Sequence, residues 1–150
     1  MNMRAVVLVL CGVTACTLSA CADDQPVVEP APTPAPLVGS WDVVGLKGSD
    51  GASVPTGQFA DDLQLSFADN AMTGVSGCND IFGQYTQSGA DVVFARDTLG
   101  STLVGCHEPP LLSRLMDVRH VSSTGEARSL RAEDGSVIVE LRRRSSDSSH

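Results

Sequence analysis

Between Gly39 and Leu141 no apolar run lasts more than a few residues before a polar or turn-forming residue interrupts it. That rhythm is the mark of an antiparallel sheet or small barrel. Gly39 to Leu46 reads as a first strand carrying Trp41, Val43 and Val44. Leu63, Leu65 and Phe67 occupy alternate positions and so share one face of a second strand, which ends at Asp69-Asn70. Met72 to Gly77, Phe82 to Gln87 and Val92 to Ala95 follow as strands, with Ser101 to Val104 as a further candidate. Later come His120 to Ser123, Ser129 to Arg131 and, after the hairpin signal Asp134-Gly135, Ser136 to Leu141. One stretch breaks the pattern. Leu111, Leu112, Leu115 and Val118 recur at helical spacing behind Pro109 and Pro110, which are tolerated in a first helical turn, so the spacing predicts a short helix of about three turns. The expected class is α+β, mainly antiparallel β.

Upstream the chain has another character. Arg4 and the apolar run Ala5 to Val13 have the form of a secretory signal. Leu18-Ser19-Ala20-Cys21 then reads as a lipobox, with Cys21 as the residue that carries the lipid after cleavage. Val13-Thr14-Ala15-Cys16 satisfies a looser form of the pattern but leaves a shorter apolar region. From Ala22 to Pro36, prolines at 26, 30, 32, 34 and 36 prevent any regular hydrogen-bonded element. An extended polyproline-like tether results, at about 3.1 Å per residue. The expected organisation is a signal peptide over 1–20, a lipidated Cys and tether over 21–36, one domain over 37–143 and a disordered tail over 144–150. The expected location is the cell envelope, anchored by lipid to a membrane. Ala22, where an aspartate would signal inner-membrane retention, points to the outer membrane facing the periplasm in a Gram-negative source.

A formal net charge of −8 argues against nucleic acid as a partner. Trp41 and Tyr85 are the only Trp and Tyr, which leaves few aromatic platforms for carbohydrate. Nothing in the chain calls for a cofactor.

The motifs Leu37-Val38-Gly39-Ser40-Trp41, Leu63-Gln64-Leu65-Ser66-Phe67, Gly74, Gly77-Cys78-Asn79 with Gly83 and Tyr85, and Ser101-Thr102 with Cys106 resemble the META domain, the family of the HslJ heat-shock protein. The resemblance runs from about Leu37 to Leu141, and its motif residues are Trp41, Gly77, Cys78, Asn79, Gly83, Tyr85, Thr102 and Cys106. It implies a small, incompletely closed antiparallel barrel with a helix against one opening. It also implies an association with stress and envelope processes, and it carries no catalytic residues. The segment between Cys106 and Met116 is shorter than the family's usual one.

Candidate chemistry is sparse. Cys78 and Cys106 are the cysteines left to the exported domain beside Cys21, and an oxidising compartment favours their pairing as a disulfide. Two separate buried thiols are the alternative. Cys106 precedes His107 and Glu108 directly, but neighbours on an extended segment point to opposite faces, and no further Cys or His set completes a metal site. Asn79 behind Gly77 fits a tight turn better than a ligand contact. Asp61 and Asp62 form an acidic pair with no second pair to face them, and Arg142, Arg143 and Arg144 could meet anionic headgroups. The expected function is a non-enzymatic, lipid-anchored domain that binds or supports an envelope protein or ligand, with no metal and no catalytic residue. The rival expectations are an envelope enzyme using Cys106 or Asp61 and Asp62, and a pilot-like carrier of an apolar partner segment.

Overall fold

Period-two patterning needs a partner for every strand edge, and here the strands supply one another. The computed structural model describes residues 33–59 and 61–145, within the unit Pro32–His150. The segments expected to be a signal peptide, a lipidated Cys21 and a tether, up to residue 32, and residues 146–150 lie outside the described residues. The described residues form nine strands: β1 (Gly39–Leu46), β2 (Leu63–Ala68), β3 (Ala71–Ser76), β4 (Asp80–Ser88), β5 (Asp91–Phe94), β6 (Gly100–Ser101), β7 (His120–Thr124), β8 (Ala127–Arg131) and β9 (Val137–Arg143). One helix, α1 (Leu111–Leu115), and a 3-10 turn (Gly57–Phe59) complete the elements among the described residues.

All ladders are antiparallel. The order is β3-β2-β1-β9-β8-β7-β5-β4, and β4 pairs back onto β3, so eight strands close into a ring with β6 as an extra strand on β4. Closure corrects the α+β class and the incompletely closed barrel expected from the sequence. The fold is a closed, mainly β barrel, and its α-helix is five residues long. Alternation reports which face a residue takes, whereas closure depends on which edges meet, and edges leave no trace in the pattern.

α1 stops early because the sheet captures the chain behind it. The Val118 amide donates to Leu115 O, and the next amide, of Arg119, already donates to Arg131 O at the start of the β7–β8 ladder. Helical spacing survives the truncation, since Leu111, Leu115 and Val118 are all fully buried. Burying each such side chain contributes roughly 1.5–3 kcal/mol.

Inward-facing side chains fill the ring. Leu63, Leu65 and Phe67 from β2, Met72, Ile81, Tyr85, Leu130 and Leu141 belong to one buried cluster, with Phe67 and Tyr85 packed edge to face at 5.0 Å. One end is covered by α1, whose Arg114 Nε donates to Lys47 O just past β1. At the other end the entering segment is held by the Ala35 amide on Ser123 Oγ and the Leu37 amide on Gln87 Oε1. Leu37 itself is fully buried there.

Candidate functional site

The turn between β3 and β4 carries three of the eight motif residues, Gly77, Cys78 and Asn79. The Ser76 amide donates to Asn79 O and closes a tight turn through Gly77 and Cys78. Gly77 sits at φ +104°, and a Cβ there would come 3.0 Å from the Phe59 ring, so conformation and space both favour glycine. Asn79 is buried and turns its amide onto the segment behind β6. Its Oδ1 accepts from Thr102 Oγ1 at 3.0 Å and from the Val104 amide at 2.7 Å, and its Nδ2 donates to Val104 O at 3.2 Å. Thr102 Oγ1 accepts in turn from the Asp80 amide, and the Thr102 amide donates to Asp80 O. The side chain of Asn79 thus takes over where the β4–β6 ladder ends. The strand expected to reach Val104 stops at Ser101 for that reason.

A disulfide joins Cys78 to Cys106, with Cα atoms 6.7 Å apart, and Ser76 Oγ donates to Glu108 Oε2 at 2.8 Å. Donor atoms of Cys78, Cys106 and Glu108 all lie within 4.8 Å of one another. With the two sulfurs joined, however, neither is a thiolate that could bind a metal or attack a substrate. Held at two places, the segment from Thr102 to Cys106 presents Leu103, 96% exposed, with Val104 and Phe82 also exposed. Beside it an open groove of about 420 Å³ runs between Val54–Phe59 and His107–Pro110.

The remaining candidate residues disperse. Gly83 lies under Leu99, where a Cβ would meet Leu99 Cα at 3.3 Å. Tyr85 is a core residue whose phenol is pushed up from its ordinary range by burial and then by the Asp69 carboxylate. Trp41 is fully buried and donates from Nε1 to Leu37 O at 2.6 Å. Asp61 and Asp62 are exposed in the turn before β2 and, among the described residues, make no ion pair. Arg144, assigned to the tail from sequence, still belongs to the sheet end: its amide donates to Ser40 O and its guanidinium pairs with Asp42 at 3.0 Å.

Two residues, Ser76 and Arg128, escaped sequence reasoning, and Glu108 was read only as a neighbour of Cys106. Ser76 and Glu108 meet across 32 positions, a contact with no local signal. Arg128 lies two positions before Leu130 on β8, so it shares that leucine's inward face and is only 6% exposed. Starting the strand at Ser129 rather than Ala127 hid that register.

A family model described as META domain matches residues 35–145. Two solved structures are similar to the chain. A protein from Burkholderia xenovorans, solved by NMR, has a TM-score of 0.57 and 22% identity over 81% of this chain and 97% of its own. A DUF4847 family protein from Bacteroides vulgatus has a TM-score of 0.46 and 15% identity over 73% of this chain and 94% of its own. No curated protein matches the chain.

Proposed function

Because the chain belongs to the META domain family, we propose that it is a lipid-anchored binding domain of the bacterial envelope, one that holds a partner rather than turning over a substrate. The observation that carries this reading is how the motif residues spend their chemistry. Both sulfurs are in a disulfide, the Asn79 amide is committed to Thr102 and Val104, and the Ser76 hydroxyl is committed to Glu108. Such a network shapes a loop and leaves no activated nucleophile or base. What the loop offers outward is apolar, with Leu103 at its tip. An exposed leucine on a loop anchored at both sides is preordered for contact, which lowers the ordering cost of binding.

A carried apolar segment is disfavoured, since the barrel interior is packed with the domain's own Trp41, Phe67, Met72 and Leu141. Anchoring through Cys21 would keep the loop near the membrane, in the envelope and stress setting that the family suggests. Crosslinking of the lipidated protein in intact envelopes tests the reading. Leu103→Asp should abolish the specific crosslinked product without lowering Tm, and Cys21→Ala should release the protein from the membrane fraction. A product that survives Leu103→Asp, or hydrolytic activity that tracks with Asp62→Asn, would remove it.

A further inference from the structure

At the barrel end where the described chain begins, two guanidinium groups share one indole. Arg143 lies directly opposite Trp41 in the β1–β9 ladder, and its Cζ stands 4.5 Å from the Trp41 ring centroid. Arg128 comes from the neighbouring strand β8, with its Cζ 5.0 Å from the same centroid. Arg128 is 94% buried, as its 6% exposure shows, yet its Nε has no hydrogen-bond acceptor. Its Nη1 reaches only the carbonyls of Gly125 and Ala127. Arg143 Nη1 donates to Val38 O at 3.3 Å. Among the described residues neither arginine is in an ion pair. The Arg143 backbone amide donates to Glu126 O, and the Glu126 carboxylate forms no ion pair among the described residues.

A buried charge is expected to be paired, and arginine does not escape the cost by losing its proton. Here the cost is compounded, because burial and the nearby Arg143 charge both disfavour the Arg128 cation. The chain carries 18 Asp and Glu residues and a net charge of −8, so carboxylates were plentiful, yet none forms an ion pair with either arginine among the described residues. Stacking on an indole offsets only part of the desolvation.

We propose that this pair of arginines is an oxyanion site that takes a phosphate group, with Arg128 and Arg143 as its donors, stacked on the Trp41 indole. A planar carboxylate suits a single guanidinium fork. A tetrahedral phosphate directs oxygens several ways and accepts from two forks that approach from different strands. The group could come from free phosphate or from a phospholipid headgroup, and the chemistry of the site is the same for both. The inference stands apart from the lipid anchor and from the Leu103 loop.

Trp41 is the only tryptophan in the chain, so its emission reports on the site directly. The full chain is titrated with inorganic phosphate at constant ionic strength, with chloride as the control and soluble short-chain phosphatidylglycerol as the second arm. A saturable change in Trp41 emission with phosphate but not chloride is expected. Arg143→Gln should weaken the apparent Kd at least tenfold, and Arg128→Lys should do so by more. Should Arg128→Lys fail to fold, Arg143→Gln, which alters an exposed residue, decides alone. Tighter binding of the lipid than of phosphate identifies a headgroup site, and equal or weaker binding identifies a site for free phosphate. No saturable response, an equal response to chloride, or an unchanged Kd in Arg143→Gln would overturn the proposal.

Discussion

Asn79 shows how one side chain can do the work of a strand. Its three hydrogen bonds to Thr102 and Val104 replace ladder bonds that the backbone no longer makes beyond β6. Asn79→Ala should therefore cost roughly 1–3 kcal/mol in urea unfolding, because it strands a buried part of the turn without partners. Asn79→Asp keeps the acceptor bonds but sets a second, charged oxygen against Val104 O in a buried site, and should cost at least as much. From sequence this residue was legible as a turn former, but its reach across 25 positions was not, since nothing local to Gly77-Cys78-Asn79 marks the distant loop. Tyr85 carries a second prediction. Its folded pKa is raised, chiefly by burial, so the unfolded chain gives up the phenolic proton first as pH rises. The stability contribution is complete below the ordinary value of about 10 and is lost as pH climbs from there through the folded value. Unfolding midpoints compared between pH 8 and pH 11 should fall less in Tyr85→Phe than in the parent.

Among the elements, strands were read well and the helix was read too long. β1 follows the expected Gly39 to Leu46, and β2, β3, β5 and β7 differ from expectation by a residue or two at their ends. Alternating burial is a short-range property, so it survives in the pattern. α1 ends after five residues because β7 claims the chain, a tertiary competition that spacing cannot report. The hairpin of β3 and β4 is tied to the loop before α1 by the Cys78–Cys106 bond, which spans a sequence separation of 28. Loop-closure entropy for that span is worth roughly 3–4 kcal/mol. The double variant Cys78→Ser with Cys106→Ser should lose about that much in denaturant, and the parent should show no free thiol in the domain on titration. A stability equal to the parent would mean that Asn79 and the Ser76–Glu108 bond hold the loop unaided.

For the molecule as a whole, the ring has one thin seam. β1 and β9 share a register of five residue pairs, while β5 and β7 share only Asp91 with His120, flanked by the Val92 and Val121 amides on Arg119 O and Ala90 O. Local opening follows the weakest ladder, so the Val92 and Val121 amides should exchange with solvent well before those of β1 and β9. Uniform protection around the ring would show that the core of Phe67, Tyr85 and Phe94 locks the seam from within. Sequence alone determined where the chain turns and which faces are apolar, because a period of two and a glycine's tolerance are properties of a few neighbours at a time. Only the tertiary structure decided that the sheet closes, that α1 is cut short and that two cations come to rest on a single indole. Those outcomes depend on which strand edges meet, and an edge of backbone amides and carbonyls is chemically the same for every strand.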